Sequence, residues 1–257
     1  MAFMPFLTAG DPDLESTANA IRELGSQGVD LIEVGFPYSD PIADGPVIQA
    51  SYTRVLNKGL RVEKIFDCIR ALHAENDSPV PPLVAMVSYA IVFRCGPEQF
   101  VANARDARFS GLIIPDLPGD EASETFKIVR SAGLDLIQLI APTTPPERAE
   151  KIVETCSGFV YCVSVAGTTG VRDSLPAELS DQLKLLRSRT NLPLAVGFGI
   201  SRPDQVDALR GFADGVIVGS AIVRKFEQAT DNAAAVAEVG RFAADMVSAV
   251  CSGDQGI

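Results

Sequence analysis

One short stretch of the chain carries three carboxylates whose types and spacing could support acid–base chemistry. Residues 31–34 are mostly apolar and predict a strand with Glu33 near its C-terminal end. Asp40 and Asp44 follow in a segment punctuated by glycine and proline, which predicts a long, shaped loop. Because a carboxylate is costly to bury in apolar surroundings, Glu33 is expected to be paired or to be used in proton transfer. An ion pair for Glu33 and plain loop positions for the aspartates are the ordinary alternatives.

Few other side chains are available for proton transfer. The only histidine, His73, follows Arg70 on a predicted helix and is predicted to lie at the surface. The five cysteines show no Cys-x-x-Cys spacing and no neighbouring histidine, so no metal site is predicted. We interpret them as reduced and mostly buried thiols. Acid–base chemistry is therefore assigned to carboxylates and tyrosines.

The charge balance restricts the partners of the protein. With 22 basic and 33 acidic residues the formal net charge is −11, which disfavours nucleic acid and anionic membranes. The N-terminal residues lack the basic segment that opens a signal peptide, and no apolar run approaches the roughly eighteen residues of a membrane span. We expect a soluble, cytoplasmic protein that binds small molecules or other proteins.

Eight short apolar strands alternate with helices along the chain. The strands are predicted at 3–8, 29–34, 83–87, 134–140, 159–163, 192–196 and 214–218, with the fourth strand and its loop within 111–118. The last helix is predicted to begin at Gly219 and Ser220. This spacing predicts an α/β fold, a (β/α)8 TIM barrel that forms a single domain over residues 1–257. A doubly wound sheet is the alternative, disfavoured because no Gly-x-Gly-x-x-Gly follows the first strand.

Glycine-bearing turns follow the sixth, seventh and eighth predicted strands. They contain Gly170, then Gly197 and Gly199, and then Gly219 with Ser220 at a helix start. In a barrel these turns meet at one mouth, where backbone N–H groups and a helix N-terminus can bind phosphate. Any single one could be an ordinary loop glycine. Together they predict a phosphate site built from backbone amides.

The run from Glu33 to Pro46 has the order E-x-G-x-P-[FY]-S-D-P-x-A-D-G-P. It closely resembles the second strand and loop of the tryptophan synthase alpha subunit family. Residues 6–12, 115–118, 168–170, 197–201 and 219–222 also fit that family, and the resemblance extends from residue 3 to about residue 223.

The resemblance implies the retro-aldol cleavage of indole-3-glycerol phosphate to indole and glyceraldehyde 3-phosphate. The resemblance further implies that Glu33 is the acid and base, that Asp44 accepts a hydrogen bond from the indole N–H, and that Tyr161 packs near Glu33. The family lines its indole pocket at positions that match Phe6, Met86, Ile113 and Thr169. We expect a raised pKa for Glu33, because its neighbours are apolar and it must donate a proton near neutral pH.

The resemblance also implies a partner protein. It predicts no cofactor and no metal in this chain, and a beta subunit that carries pyridoxal phosphate in an alpha2beta2 heterotetramer. Asp40, Pro41 and the loop at 167–173 are expected at or near the contact with it.

Several positions depart from the family pattern. Ala90 and Ile91 replace an asparagine and a proline that are frequent after the third strand, and Val165 replaces an arginine after the sixth. The family also usually has a short helix before the first strand, whereas here strand-like residues come almost at once. A stand-alone lyase, a non-catalytic regulatory subunit and another phosphate-handling barrel therefore remain alternatives.

Overall fold

The computed structural model describes residues 1–41, 44–75, 80–163, 176–197 and 199–252. Eight parallel strands close into a barrel in which each strand pairs with its neighbours in sequence and β8 pairs with β1. The strands are β1 (Ala2–Thr8), β2 (Ile32–Gly35), β3 (Leu83–Met86), β4 (Gly111–Ile113), β5 (Asp135–Ile140), β6 (Val160–Val163), β7 (Leu194–Gly197) and β8 (Gly215–Val218). The predicted (β/α)8 fold is therefore confirmed.

Helices surround the barrel. Those in the described residues are α1 (Leu14–Ser26), α2 (Pro46–Asn57), α3 (Val62–Ala74), α4 (Tyr89–Cys95), α5 (Pro97–Asp106), α6 (Ala122–Ser131), α7 (Pro146–Glu154), α8 (Ala177–Arg187), α9 (Ser220–Gln228) and α10 (Asn232–Cys251). Short 3-10 turns lie at Gly119–Glu121, Pro203–Gln205 and Asp207–Leu209.

The alternation of side chains along the strands separates two apolar layers. On β1, Phe3 and Leu7 pack outward under the helices, whereas Met4 and Phe6 face the barrel interior. The interior-facing strand residues are Met4, Phe6, Val84, Met86, Ile113, Ile137, Phe159, Tyr161, Ala195 and Ile217. On β2 the same alternation puts Ile32 and Val34 outside, so Glu33 and Gly35 face the interior.

Local signals in the sequence explain where several helices begin. The Asp13 side chain accepts a hydrogen bond of 2.7 Å from the backbone N–H of Ser16 and so caps α1. Proline is the first residue of both α2 and α5, a position whose N–H makes no helical bond. Gly96 separates α4 from α5 with φ of 84°, a left-handed conformation that favours glycine.

One prediction about the helices was wrong, and one helix was missed. The helix that begins at Ser220 is not the last, because α10 follows and packs against α1. The sequence does contain signals for α10, because Asp231 caps this helix and alanine is abundant within it. The helix α4 was not predicted, because seven residues show too little periodicity to be distinguished from a loop.

The histidine and cysteine environments also differ from expectation. His73 is partly buried on α3, and burial together with the nearby Arg108 charge lowers its pKa. All five cysteines are free, but only Cys156 and Cys162 are buried, so the thiols are not mostly buried. No helix in the described part of the chain is long and apolar enough to cross a membrane.

Candidate active site

Glu33 lies inside the barrel. It pairs in register with Phe6 of β1 and Val84 of β3, whose side chains face the interior. The side chain is 0% exposed, and neither carboxyl oxygen has a hydrogen-bond partner among the described residues. Burial raises the pKa of Glu33 well above its ordinary value, and the nearby Asp44 charge raises it further. The Glu33 carboxyl group is therefore shifted toward its protonated form, and this rise in pKa is in the direction that the sequence led us to expect.

Asp44 lies on the loop between β2 and α2, on the mouth side of Glu33. The Tyr38 hydroxyl donates a hydrogen bond of 3.2 Å to its carboxylate. The Gln49 side-chain amide donates to the backbone carbonyl groups of Asp44 at 2.7 Å and of Pro41 at 3.2 Å, which fixes both ends of the loop. Burial raises the pKa of Asp44 to about 6, and the Tyr38 hydrogen bond acts in the opposite direction. Residues 42 and 43 lie outside the described residues.

Tyr161 reaches the same space from β6. It is buried, and burial raises the pKa of its hydroxyl, as do the charges of Glu33 and Asp44. A Cβ atom at Gly197 would collide with this ring, approaching Cε1 to 2.5 Å and the hydroxyl oxygen more closely still. The glycine at the end of β7 therefore makes room for the Tyr161 ring.

The predicted phosphate turns are described in part. Gly197 ends β7, and Gly199 has φ of 92°, a conformation that favours glycine. Gly219 is the N-cap of α9, which begins at Ser220, so the first N–H groups of that helix are directed at the mouth. Gly170 lies outside the described residues, as does Phe198.

Three of the four predicted indole-pocket residues come together. Phe6, Met86 and Ile113 belong to one interior cluster with Tyr161. An aromatic ring bound above Glu33 would meet apolar side chains there. Thr169 lies outside the described residues.

The interior cluster also contains residues that the sequence did not single out. Ile48 and Tyr52 of α2 join it, four positions apart and therefore on one helix face. The sequence signal that could have identified Ile48 and Tyr52 is their four-residue spacing directly after the loop that carries Asp44. Among the described residues no group of three or more His, Cys, Asp or Glu side chains could hold a metal ion.

Two of the predicted partner residues, Asp40 and Pro41, lie at the rim, whereas the loop at 167–173 lies outside the described residues. Asp40 is exposed and Pro41 is partly exposed. A cleft of about 990 Å³ separates the 37–40 segment from α4, and its lining includes Asp40, Ala90 and Arg94. On α4, Phe93 is 70% exposed, with its ring centroid 6.3 Å from that of Tyr89.

Comparison with known proteins places this arrangement in a family. Residues 1–250 match the sequence model of the family described as tryptophan synthase alpha chain. The chain is 48% identical to the tryptophan synthase alpha chain of Rhodopirellula baltica, over 90% of this chain and 84% of that protein. It is 42% identical to that of Rippkaea orientalis, over 97% and 92% respectively.

Solved structures agree. The tryptophan synthase A-subunit of Pyrococcus furiosus superimposes with a TM-score of 0.86 at 34% identity, over 96% of this chain and 98% of that one. A chain of the tryptophan synthase complex from the same organism gives 0.85 at 33% identity, with the same coverage. The chain therefore belongs to the tryptophan synthase alpha chain family.

Proposed function

We propose that this chain cleaves indole-3-glycerol phosphate to indole and glyceraldehyde 3-phosphate, with Glu33, Asp44 and Tyr161 in the active site. As a member of the alpha chain family, it is a carbon–carbon lyase of tryptophan biosynthesis. The observation that carries the residue assignment is the placement of two carboxyl groups at one apolar pocket, where burial raises the pKa of both and the Asp44 charge raises that of Glu33 further.

Glu33 serves as both acid and base. It gives its proton to C3 of the indole ring, which leaves a carboxylate and an indolenine cation. That carboxylate then takes the proton from the C3′ hydroxyl of the glycerol chain. The bond between C3 and C3′ breaks, its electron pair restores the aromatic indole, and C3′ becomes the aldehyde carbon. The raised pKa supports the first step, because the acid must be protonated at the working pH.

Asp44 accepts the hydrogen bond of the indole N–H. With a pKa of about 6, it is mostly ionised at neutral pH, and its negative charge stabilises the cation that forms on the ring. Tyr161 packs beside Glu33, and Phe6, Met86, Ile113 and Thr169 surround the indole. The substrate phosphate binds backbone N–H groups at Gly170, Gly197, Gly199, Gly219 and Ser220, aided by the dipole of α9.

The proposal includes a partner. A Pyrococcus furiosus relative is described in a tryptophan synthase complex. We propose a cytoplasmic alpha2beta2 assembly in which the beta subunit carries pyridoxal phosphate, this chain needs no cofactor, and Asp40 and Pro41 lie at the contact. Asp40 and α4 line one cleft, and on α4 Phe93 is 70% exposed, so this face offers a partner both a charged and an aromatic side chain, a residue type enriched at interfaces.

The test is the release of glyceraldehyde 3-phosphate from indole-3-glycerol phosphate by the purified chain, with and without a beta subunit. Glu33→Gln should lower kcat by at least roughly 100-fold, within the usual range for removal of an acid–base group. Asp44→Asn should lower kcat by a similar factor, because it removes a charge that stabilises the developing cation. Inorganic phosphate should bind both variants as it binds the unaltered chain. The matched control is Asp67→Asn, because Asp67 lies exposed on α3 and pairs there with Arg70.

Two outcomes would contradict the proposal. Activity that survives Glu33→Gln with an unchanged pH profile would remove Glu33 from the reaction. Equal loss of turnover and phosphate binding in Asp44→Asn would indicate collapse of the loop rather than loss of a catalytic group.

A further inference from the structure

Tyr52 is a buried residue of the site that the proposed mechanism does not use. It lies on α2, is 0% exposed, and its hydroxyl has no hydrogen-bond partner among the described residues. Buried polar groups almost always have such a partner, because leaving one without costs stability. A phenylalanine would fill the same space without that cost, so the hydroxyl needs an explanation.

Gly35 locates the hydroxyl relative to Glu33. A Cβ atom at Gly35 would lie 2.7 Å from the Tyr52 hydroxyl oxygen and 2.6 Å from Cε2 of Phe6, so the hydroxyl and the Phe6 ring together cover the inner face of Gly35. Gly35 is two residues after Glu33 on the same strand face, which is a step of about 6.6 Å along a parallel strand. The hydroxyl therefore lies one step above Glu33, on the side of the barrel mouth.

The Tyr52 ring also contacts the group that holds Asp44. Its centroid is 5.4 Å from that of Tyr38, whose hydroxyl donates to the Asp44 carboxylate. Tyr52 is thus placed between the two carboxyl groups. Both Glu33 oxygens lack a donor among the described residues, and the Tyr52 hydroxyl lacks an acceptor there.

We propose that Tyr52 is a further positioning residue of this reaction, whose hydroxyl donates a hydrogen bond to the Glu33 carboxylate once Glu33 has given up its proton. The inference rests on the proposed function, in which Glu33 is ionised between its two proton transfers. A carboxylate in an apolar interior is stabilised by a nearby donor, and the Tyr52 hydroxyl is close enough to Glu33 for the Glu33 charge to act on its pKa. Tyr52 keeps its own proton throughout.

The surroundings of Tyr52 keep it a donor. The titratable groups near it are Glu33 on β2, and Tyr38 and Asp44 on the following loop, while Tyr161 of β6 lies near Glu33. Burial raises the pKa of Tyr52 well above its ordinary value, and the charges of Asp44, Tyr38 and Glu33 raise it further. The hydroxyl is therefore protonated at every pH at which the enzyme works.

The test is Tyr52→Phe, which keeps the ring and removes the hydroxyl. Because a hydrogen bond to the charged form lowers the pKa of an acid, its loss should raise the pKa of Glu33 by about one unit. That shift should appear in the alkaline limb of kcat/KM. It should also appear in the NMR titration of isotope-labelled glutamate, where the Glu33 signal is the one missing in Glu33→Gln. We expect kcat to fall roughly tenfold and KM to stay unchanged, matching one pKa unit.

Two further variants separate this role from structural ones. Ser51→Ala removes another buried hydroxyl without a partner among the described residues, one position away on α2, and should leave the Glu33 pKa unchanged. In the Glu33→Gln background, Tyr52→Phe should cause no further loss of kcat, because Tyr52 acts through Glu33.

Each possible result of these measurements either supports or overturns the proposed role of Tyr52. An unshifted Glu33 pKa in Tyr52→Phe would overturn the proposal, and so would a rise in KM alone, which would mean that the hydroxyl binds substrate instead. An inactive unaltered chain would overturn the proposed function. The NMR titration would still decide whether Tyr52 stabilises the ionised form of Glu33.

Discussion

At the scale of single residues, the site depends on two carboxyl groups whose protonation differs. Glu33 is fully buried and its pKa is raised well above its ordinary value, whereas Asp44 is less buried and has a pKa of about 6. Asp44 therefore ionises first, and its negative charge then helps to keep Glu33 protonated. These shifts separate the two carboxyl groups in the direction that the proposed chemistry needs, with Glu33 as the acid and Asp44 as the carboxylate.

Tyr38→Phe should shift the acid limb of the pH–rate profile. Activity needs ionised Asp44. The value of kcat/KM should therefore be high above about pH 6 and should decrease as the pH falls through the Asp44 pKa of about 6. The Tyr38 hydroxyl lowers that pKa by its hydrogen bond, so removing it should move the loss to higher pH, by up to about one unit.

The measurement is kcat/KM from pH 5 to 8, with Tyr89→Phe as the matched control. Tyr89 stacks on Phe93 of α4 and donates no side-chain hydrogen bond to Asp44. An acid limb that is identical in Tyr38→Phe and the unaltered chain would show that Asp44 does not control it.

The sequence indicated the two carboxyl groups and Tyr161, but not the roles of Tyr38 and Tyr52. Glu33 and Asp44 stand out because acids are rare in apolar strands and because the run around them resembles a known family. The bond from Tyr38 to Asp44 depends on how the loop folds back on itself. The placement of Tyr52 depends on the absence of a side chain at Gly35, which no local pattern reveals.

At the scale of the elements, two strand-end glycines make space for two tyrosines. Gly35 of β2 is covered by the Phe6 ring and the Tyr52 hydroxyl, and Gly197 of β7 is covered by Tyr161. In both cases the aromatic ring fills the interior where a side chain of the strand would otherwise stand. The glycine of the predicted phosphate turn thus also fixes the position of Tyr161.

Gly197→Ala should therefore impair both stability and turnover. The added methyl group would overlap the Tyr161 ring, and overpacking of this kind typically costs about 1–3 kcal/mol of the free energy of unfolding. Displacement of Tyr161 beside Glu33 should lower kcat by about tenfold or more.

Chemical denaturation and steady-state kinetics test this expectation, with Gly45→Ala as the control for stability. A methyl group at Gly45 meets no atom within 4 Å and its φ is −73°, so its free energy of unfolding should change by less than about 0.5 kcal/mol. Equal stability of Gly197→Ala and the unaltered chain would mean that Tyr161 adapts freely.

The sequence predicted which segments form strands, but it predicted the first and last residues of each strand less accurately. Eight apolar runs at regular spacing identify the strands, because a parallel strand buried on both faces is a nearly continuous apolar segment. The second strand begins at Ile32 rather than at residue 29, since only residues that pair with β1 and β3 belong to it. The pairing of β2 with β1 and β3 joins residues that are far apart in the sequence, so local sequence patterns do not reveal it.

At the scale of the whole molecule, closure of the barrel brings distant residues to one mouth. Phe6, Glu33 and Met86 lie on the adjacent strands β1 to β3, and closure of the barrel through the β8 to β1 pairing brings Tyr161 of β6 and Gly197 of β7 to the same mouth. Thermodynamic coupling between a partner and the site would have to pass through the mouth loops, because these carry both Asp44 and the exposed rim. The rim is therefore where a dependence on the partner can be tested separately from the chemistry.

Phe93→Ala should weaken binding to the beta subunit. Phe93 is 70% exposed on α4, next to the cleft that Asp40 lines, and burying such a ring at an interface typically contributes more than about 1.4 kcal/mol, a factor of ten in Kd. Because the ring is exposed, its loss should leave the melting temperature of the isolated chain nearly unchanged.

Calorimetric titration of the chain with the beta subunit gives the Kd, and Lys127→Ala is the matched control. Lys127 is exposed on α6, away from the cleft that Asp40 and α4 share, so that variant should bind as the unaltered chain does. If Phe93→Ala also binds normally, the partner does not use α4. The contact would then have to be sought elsewhere around the mouth, beginning with Asp40 and Pro41, whose exposure is independent of α4.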